Sequence, residues 1–408
     1  MSQHLVGGIS SAGRALPPHL GQEFHVSRAQ GPWLWDEDGR RYIDTAMGYG
    51  ATMPGHAPAA VMAAAARALD AGPMPAFAHR GEEAAAAALA ARTGDLSRIV
   101  FTNSGSEAVH LAMRIARRAT GRPVVAKIAA GYDGWYDDVT LGQAGSAEAL
   151  MQANTRPEQG RTTLLRFNDF QDVEQLFAAR DDVAAVLIEP MLANAGCIMA
   201  APGYLDHVVA TARRHGALVI ADEVLMGFRL GAGLSSQILG MQPDLASMGK
   251  AIGSGIAVAA VAGRPGIMAL AEQAGVRAGT YSGNPVATAA VQATMDQLGA
   301  ADYPALLARG DRLRAAIVAG FARAGRTVST SGHGTVFTLW FHPEPPRSYA
   351  EAALRADPAL TLALHHELRQ RGLMTMPFPF GRVFLSLAHD DAVVAEMAAI
   401  YAEAAAAL

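Results

Sequence analysis

Two residues near the middle of the chain are of types that can do covalent chemistry. Asp222 follows the apolar run 218–221, and Lys250 ends the segment D-L-A-S-M-G-K. An amine that loses its proton can attack an aldehyde, whereas a guanidinium stays protonated and cannot. We therefore hypothesise that Lys250 forms a Schiff base with an aldehyde cofactor and that Asp222 pairs with a cationic nitrogen of that cofactor. A surface salt bridge and a helix cap explain these two residues equally well.

Lysine is rare in this chain. Lys250 and Lys127 are the only two lysines among 33 basic residues, and the others are arginines. A lysine that persists against such a bias suggests a need that arginine cannot meet. Lys250 also stands between Gly249 and Ala251, which leave room for a bulky group. The scarcity of lysine therefore favours a chemical role for Lys250.

Composition limits the classes of protein to consider. A chain of 408 residues exceeds one ordinary core, so two or more domains are expected. The net charge of −4 has no basic block, so neither nucleic acid nor a membrane surface is an expected partner. The single Cys197 and the spacing of the histidines favour no metal site. No targeting signal and no apolar run of membrane-spanning length are found, so we expect a cytoplasmic protein.

The elements that position Asp222 and Lys250 belong to an alternating pattern that begins near residue 99. Short apolar runs without polar alternation alternate with helical segments, which predicts a mostly parallel sheet covered on both faces. Ligands collect beyond the carboxyl ends of such strands. The strand candidates are residues 99–102, 124–128, 183–188, 218–221 and 257–261.

The two ends of the chain have a different character. Residues 1–30 predict an irregular arm, and Asp38-Gly39 predicts the tight turn of a hairpin. After residue 300, helices and strands form an α+β pattern that we expect to pack with the N-terminal arm. We predict an N-terminal part of a small domain at 1–50, a large domain at 51–300, and the C-terminal part of the small domain at 301–408.

Several loops follow the predicted strands and could bind a cofactor. Ser104 and Glu107 have the spacing of a capping box, and a helix start of small residues can bind an anion. Tyr132 could stack on a flat ring, and Asn194 could contact a cofactor oxygen. Each of these motifs, taken alone, is more typical of an ordinary cap, core aromatic or turn.

Taken together, the motifs resemble those of the class III aminotransferases of pyridoxal phosphate fold type I. The resemblance covers about residues 30–300 in order and spacing, and is greatest to the glutamate-1-semialdehyde aminomutases, whose N-terminal arm is shared by the β-amino-acid aminotransferases. It implies an α/β fold with a large domain of mixed, mostly parallel sheet flanked by helices and a smaller α+β domain from both termini. The matching motifs are N-S-G-S-E-A, G-Y-x-G, I-E-P with N-x-G, A-D-E-V with G-F-R, D-L-A-S-M-G-K and G-T-Y-S-G-N-P.

The resemblance also implies pyridoxal 5′-phosphate as cofactor and a homodimer with shared active sites. Lys250 would carry the Schiff base and shuttle the proton, and Asp222 would keep the pyridine nitrogen protonated. Tyr132 and Val224 would lie on the two ring faces, and Asn194 would contact the ring hydroxyl. The residues implied at the phosphate are Ser104, Gly105 and Ser106, with Gly279 and Thr280 from the neighbouring subunit. The residues implied on the substrate side are Arg14, which would hold a carboxylate, with Ser11 and Tyr49.

Three departures from the aminomutase pattern bear on function. Asp133 stands where the family commonly has His after the stacking aromatic, and Gly381-Arg382 replaces an acidic residue of the C-terminal gate. The loop after Ser146 is shorter than the aminomutase lid, which retains the diamino intermediate. These differences favour transfer between two molecules, from a carboxylate-bearing amine or amino acid, such as a β- or γ-amino acid, to a keto acid or aldehyde.

Two alternatives stay open. One is glutamate-1-semialdehyde 2,1-aminomutase activity, in which the amino group moves within one molecule. The other is a non-catalytic regulator that binds pyridoxal phosphate. Both Asp222 and Lys250 are retained, and no DNA-binding segment precedes the fold, which speaks against the regulator.

Overall fold

The N-terminal part of the chain is irregular before it enters a small sheet. The computed structural model describes residues 4–16, 24–151 and 156–408. The predicted arm has two 3-10 turns, Val6–Gly8 and Ala12–Arg14, and its residues 17–23 lie outside the described part. Three strands follow, namely β1 (Val26–Gln30), β2 (Trp33–Asp36) and β3 (Arg41–Asp44).

The predicted hairpin at Asp38-Gly39 is present between β2 and β3. Gly39 has a φ of +78°, a left-handed conformation that glycine adopts without steric cost. Asp36 accepts a hydrogen bond from the Arg40 backbone N–H at 2.8 Å and thereby closes the turn. The two strands then pair antiparallel, with Trp33 opposite Ile43.

A sheet of eight strands forms the centre of the molecule. Its strands are short, and most consist of buried apolar residues, as expected when helices cover both faces. The ranges are β4 (Arg98–Thr102), β5 (Val124–Ile128), β6 (Glu158–Gln159), β7 (Thr162–Leu165), β8 (Val183–Ile188), β11 (Leu218–Asp222), β12 (Leu245–Met248) and β13 (Ala259–Gly263), with β9 (Met191–Leu192) and β10 (Ile198–Met199) pairing separately.

The order of the central strands is β4-β13-β12-β11-β8-β5-β7-β6. The strands from β12 to β7 run parallel, whereas β13 and β6 are antiparallel to their neighbours. The mixed, mostly parallel sheet that the resemblance implied is therefore confirmed. In particular, β11 and β12 are parallel neighbours, which brings their carboxyl ends to the same edge.

Helices connect these strands and flank the sheet. The helix after β4 begins with a complete capping box, packs its apolar face on the sheet, and ends at Gly121 with a φ of +68°. The helices of this part are α1 (Met47–Gly50), α2 (Ala59–Asp70), α3 (Arg80–Ala90), α4 (Gly105–Thr120), α5 (Asp137–Thr140), α6 (Phe170–Ala179), α7 (Tyr204–Arg214), α8 (Ser235–Ile238), α9 (Pro265–Met268) and α10 (Pro285–Gly299).

The C-terminal part returns to the beginning of the chain. The last helix of this part, α14, packs on its first helix, α11. The strand β16 pairs in parallel with β3, so residues from both ends of the chain form one four-stranded sheet. The elements are α11 (Tyr303–Arg323), β14 (Ser329–His333), β15 (Val336–Trp340), α12 (Tyr349–Arg355), α13 (Pro358–Gln370), β16 (Leu373–Met374), β17 (Val383–Phe384) and α14 (Asp391–Ala407).

The described residues contain neither a membrane-spanning helix nor a cluster of metal ligands. Among them, no helix is both long enough and apolar enough to cross a bilayer. Nor do any three of their His, Cys, Asp or Glu side chains come together in a way that could hold a metal ion.

Candidate active site

Asp222 and Lys250 come together because they follow neighbouring parallel strands. Asp222 is the last residue of β11, and in the register of the sheet it lies opposite Ser247 of β12. Lys250 follows three residues after Ser247. The Asp222 carboxyl is buried, and its Oδ1 accepts hydrogen bonds from Val224 N at 2.9 Å and from Ser247 Oγ at 3.1 Å. Asp222 is therefore held rigidly beside the turn that carries Lys250.

The Lys250 side chain is set up as an available amine. Its backbone has a φ of +44°, a left-handed conformation that is uncommon outside glycine and is typical of functional positions. Burial lowers the pKa of the Lys250 ammonium to about 8, although the nearby Asp222 charge opposes that shift. Among the described residues, its Nζ has no hydrogen-bond partner. A substantial neutral fraction of this amine is therefore present at mildly alkaline pH.

The start of α4 forms a cup of small residues next to this turn. Ser104 Oγ accepts a hydrogen bond from Glu107 N, and the Glu107 carboxylate accepts from Ser104 N at 3.1 Å. The first-turn N–H groups of a helix, here those of Gly105 and Ser106, have no acceptor within the helix and suit an anion. A Cβ on Gly105 would lie only 2.7 Å from Val224 Cγ1, so glycine permits this close approach.

Two side chains that the resemblance placed on the ring faces lie in loops at the same edge. Tyr132 follows β5 and is 45% exposed, and partial burial raises the pKa of its hydroxyl. Val224 follows β11, and its side chain lies against Gly105 and Gly249. Their stacking on a ring stays a prediction.

Asn194 lies in the loop after β9, next to a buried arginine. Its Oδ1 accepts a hydrogen bond from Arg382 Nη1 at 3.1 Å, and the Ala193 carbonyl lies 3.4 Å from the same nitrogen. Arg382 is buried, its Nε has no partner, and no carboxylate among the described residues lies within 4.0 Å of it. Burial lowers the pKa of the Arg382 guanidinium. The site thus contains a cation that is not neutralised by a direct ion pair.

The predicted substrate side lies where the N-terminal arm meets the turn at Met47–Gly50. The Tyr49 hydroxyl donates a hydrogen bond to the Gly13 carbonyl, which ties the arm to this turn. Burial raises the pKa of Tyr49, and the charges of Arg382 and Arg14 oppose that shift. Arg14 and Ser11 are both exposed. Arg14 and Arg382 therefore both lie near enough to Tyr49 for their charges to act on its hydroxyl.

Gly279 and Thr280 are exposed in the loop before α10. They line a surface cavity of about 470 Å³ together with Phe77 and His79. Their role at the phosphate of a neighbouring subunit stays a prediction. A separate cavity of about 1510 Å³ contains none of the predicted site residues.

The sequence did not reveal how Asp133 and Lys127 are used. Lys127 is fully buried in β5, and its Nζ lies 3.1 Å from Asp133 Oδ2. Asp133 also lies close enough to Asp222 for its charge, together with burial, to raise the pKa of the Asp222 carboxyl. The rarity of lysine was the one available signal, because it marked Lys127 as strongly as Lys250.

Known proteins of one family are similar to this chain in sequence. Residues 18–400 match the model of the family described as aminotransferase class-III. The chain is similar to a glutamate-1-semialdehyde 2,1-aminomutase from Symbiobacterium thermophilum, with 36% identity over 407 residues that cover 96% of this chain and 92% of the relative.

Solved structures of transaminases are similar over almost the whole chain. An omega-transaminase from Sphaerobacter thermophilus superimposes with a TM-score of 0.88 and 29% identity over 98% of this chain and 94% of that protein. A β-phenylalanine aminotransferase from Variovorax paradoxus superimposes with a TM-score of 0.86 and 29% identity. The match covers 97% of this chain and 90% of that protein.

Proposed function

The chain belongs to the class III aminotransferase family, and we propose that it moves an amino group between two separate molecules. The donor is an amine or amino acid that carries a carboxylate, including β- and γ-amino acids, and the acceptor is a keto acid or an aldehyde. The observation that carries this proposal is the pairing of Lys250, an unpartnered amine with a pKa near 8, with buried Asp222 on neighbouring strand ends.

Pyridoxal 5′-phosphate is the cofactor of this family, and the residues present fit it. When bound, it supplies an aldehyde that condenses with amines and a ring that accepts the electrons left when a neighbouring proton departs. The start of α4 suits its phosphate, and any side chain larger than that of Gly105 would fill the space there. Asp222 suits a protonated ring nitrogen, and Asn194 offers a polar group at the same edge.

We assign the proton transfers to Lys250. Its neutral amine takes the proton from the substrate carbon and returns it at the next position, and its ammonium form is the corresponding acid. Asp222 would hold the ring nitrogen, and Tyr132 and Val224 would lie against the ring. A general base works best when its pKa lies near the working pH, and the pKa of about 8 for Lys250 satisfies that condition.

We assign recognition of the substrate carboxylate to Arg14, supported by Tyr49 and Ser11. Arginine forms bidentate hydrogen bonds with carboxylates. The uncompensated charge of Arg382 beside Tyr49 adds to the positive potential at this side of the site. A screen of amino donors that follows the bound cofactor from its aldehyde to its amine form tests the proposal. Conversion by carboxylate-bearing amines supports it, and failure of every such donor contradicts it.

We further propose a homodimer with shared active sites, in which Gly279 and Thr280 reach the phosphate of the neighbouring subunit. Large aromatic side chains near this loop are unusually exposed, as interface residues are in an isolated subunit. Phe77, which lines the same cavity as Gly279 and Thr280, is 84% exposed, and the adjacent Tyr281 is 63% exposed.

Mixing two inactive variants tests the shared site. Lys250→Ala and a Thr280 variant that blocks the phosphate should each be inactive. Half of the randomly mixed dimers then contain one intact site, so the mixture should recover about a quarter of the wild-type activity. A mixture that remains inactive, although the subunits exchange, contradicts the shared site.

The second candidate function is that of a glutamate-1-semialdehyde 2,1-aminomutase, which is favoured by the 36% identity to a protein of that name. The two functions differ in their need for an acceptor. Conversion of glutamate-1-semialdehyde to 5-aminolevulinate without any added keto acid or second aldehyde supports the aminomutase. Dependence of turnover on a separate acceptor supports the aminotransferase.

A further inference from the structure

The turn at Met47–Gly50, which carries Tyr49, has an unusual backbone. Met47 has a φ of +46°, Gly48 of +59°, Tyr49 of +58° and Gly50 of +81°, so four consecutive residues are left-handed. Residues with a Cβ adopt this conformation singly rather than in runs. Such a backbone persists only where its surroundings hold it, and it is typical of functional sites. Contacts from outside the turn are therefore needed to stabilise it.

Asp44 holds the beginning of this turn. It is the last residue of β3, and its side chain is buried. Its Oδ1 accepts a hydrogen bond from Ala46 N at 2.8 Å, and its Oδ2 accepts one from Met47 N at 2.9 Å. His56 Nε2 lies 2.7 Å from the same Oδ2. The carboxylate of Asp44 thereby fixes the direction in which the chain enters the turn.

Arg229 holds the end of the turn. It lies in the loop after β11, and its side chain is buried. Its Nη2 donates a hydrogen bond to the Gly50 carbonyl, and its Nε donates one to the Leu225 carbonyl at 3.0 Å. The guanidinium carbon also lies 4.8 Å from the centroid of the Phe384 ring. One side chain thus joins the loop after β11 to the end of the left-handed turn.

Arg229 is charged, although no carboxylate of the described residues forms an ion pair with it. Burial lowers the pKa of its guanidinium to about 10, which leaves it protonated at neutral pH. A buried charge is costly unless its N–H groups have acceptors. The carbonyls of Gly50 and Leu225 supply acceptors, so the contact with the turn stabilises the guanidinium as well as the turn.

Gly50 and Arg229 fit each other closely. A Cβ on Gly50 would overlap the Arg229 guanidinium and would lie 2.9 Å from Phe384 Cε1. Glycine also adopts the φ of +81° without steric cost. The lack of a side chain at residue 50 therefore lets the guanidinium reach the carbonyl.

The same turn is joined to the N-terminal arm. The Tyr49 hydroxyl donates a hydrogen bond to the Gly13 carbonyl, and Gly13 directly precedes Arg14. The packing is close here too, because a Cβ on Gly13 would lie 3.2 Å from the Tyr49 hydroxyl oxygen. A movement of the turn would therefore move the point at which the arm is anchored.

We propose that Arg229 is a positioning residue for the substrate side of the active site. It fixes the left-handed turn on the loop after β11, and the turn places Tyr49 and the arm that carries Arg14. Because the same loop begins next to Asp222, Arg229 sets the distance between the cofactor side of the site and the group that binds the substrate carboxylate. This proposal rests on the roles of Tyr49 and Arg14 proposed above.

Arg229→Lys tests the proposal through a comparison of two donor classes. Lysine lacks the planar fork of N–H groups that reaches both carbonyls, but it keeps the positive charge that acts on Lys250. The KM of carboxylate-bearing amino donors should rise about tenfold, because the carboxylate-binding group is misplaced. The KM of donors without a carboxylate should not change. An equal rise for both classes contradicts the proposal.

A double-mutant cycle tests the route through Tyr49. Tyr49→Phe removes the hydroxyl that ties the turn to the arm, and it should raise the KM of the carboxylate-bearing donors alone. Because Arg229 acts through this contact, the double variant should have no higher KM than Tyr49→Phe. Independent, multiplicative effects contradict the proposal. An unchanged KM in Tyr49→Phe contradicts it too, even if Arg229→Lys does not fold.

Hydrogen exchange in the cofactor-free protein gives a measurement that does not depend on turnover. Arg229→Lys should speed exchange in a peptide that covers residues 46–52, where the N–H groups of Gly50 and Thr52 are bonded within the segment, and should leave the central sheet unchanged. Exchange in this peptide that stays at the wild-type rate contradicts the proposal.

Arg122→Lys is the matched control. The Arg122 guanidinium also donates to two backbone carbonyls, those of Val183 at 3.1 Å and His215 at 2.7 Å. It lies before β5, at the edge of the sheet opposite to Asp222. This variant should match the wild type in KM and in exchange at residues 46–52. Failure of the wild type to convert any carboxylate-bearing donor contradicts the proposed function, whereas the results above bear on the positioning role alone.

Discussion

Replacement of Asp222 by asparagine should make the cofactor-free protein more stable at neutral pH than the wild type. The pKa of Asp222 is raised from 3.8 to about 7, chiefly by burial and then by the charge of Asp133. Between these two values the native protein keeps the proton that the unfolded chain has lost. Unfolding then releases a proton, so the stability of the wild type falls as pH rises through this window.

The size of the effect follows from the shift. The pKa of Asp222 differs by about 3 units between the folded and unfolded states, and each unit corresponds to 1.36 kcal/mol, which gives about 4 kcal/mol. The wild type loses this full amount of stability above pH 7 and loses none of it below about pH 4. Asparagine keeps the shape but carries no charge, so it should escape this loss. The advantage of Asp222→Asn over the wild type should therefore grow by about 4 kcal/mol between pH 4 and pH 8.

Urea unfolding of the cofactor-free proteins across this pH range measures the effect. Buried carboxyls that do not interact with Asp222 are common to both proteins and cancel in the comparison. Glu189, whose pKa is raised partly by the charge of Asp222, changes the difference in the same direction. Asp296→Asn makes the same chemical change at an exposed position of α10; it is the matched control and should track the wild type. The advantage of Asp222→Asn over the wild type could instead stay constant or shrink as pH rises. Either result refutes the claim that Asp222 keeps its proton in the folded protein.

Three substitutions test packing and recognition elsewhere. Gly105→Ala places a Cβ 2.7 Å from Val224 Cγ1 and should weaken pyridoxal phosphate binding about tenfold in a fluorescence titration, or by about 1.4 kcal/mol. Gly310→Ala places a Cβ 1.7 Å from the Gly334 carbonyl oxygen, where the backbone must move, and should lower the free energy of unfolding by about 3 kcal/mol in urea. Arg14→Ala should raise the KM of carboxylate-bearing donors by about 10- to 100-fold and leave the KM of donors without a carboxylate unchanged.

Gly266→Ala is the control for both glycine substitutions. A Cβ at Gly266 meets no heavy atom within 4 Å, so neither cofactor affinity nor stability should fall. Wild-type affinity in Gly105→Ala contradicts the close-packed cup, and wild-type stability in Gly310→Ala contradicts the tight contact of α11 with the following hairpin. An equal rise in KM for both donor classes in Arg14→Ala contradicts carboxylate recognition by the arm.

The placement of Asp222 and Lys250 was predictable because it depends on a local pattern and one general rule. The apolar run before Asp222 predicted a buried strand, and parallel strands place their carboxyl ends at one edge. The strand before Lys250, Leu245–Met248, was not predicted. It has only four residues, and the polar Ser247 interrupts the apolar run that would indicate a buried strand. Lys250 was instead marked by the rarity of lysine and by its small neighbours.

Strands near the ends of the chain were hard to predict because they depend on pairing with residues that are distant in sequence. Leu373–Met374 is a strand because it pairs with Ile43 and Asp44, which lie more than 300 residues away. The strand predicted at 383–387 extends only over Val383–Phe384, where β15 supplies a partner. The domain boundaries at residues 50 and 300 stay predictions, and part of the loop after Ser146, residues 152–155, lies outside the described residues.

Buried electrostatics could not be predicted at all. Asp133 stood out as a departure from the family pattern, yet the sequence did not indicate that it meets Lys127 and that its charge acts on Asp222. Such a cluster depends on side chains of β5, its following loop and β11, which only the folded sheet brings together. The same holds for Arg382, whose contact with Asn194 spans the chain from the loop after β9 to its C-terminal part.

Borohydride reduction followed by peptide mapping tests the central assignment most directly. The reagent fixes pyridoxal phosphate permanently on the amine to which it is joined, and the chain has only two lysines to distinguish. We predict that one cofactor per subunit is fixed on Lys250 and that Lys127, buried among backbone carbonyls, stays unmodified. Fixation on Lys127, or an unmodified Lys250 in protein that has bound the cofactor, would contradict the assignment.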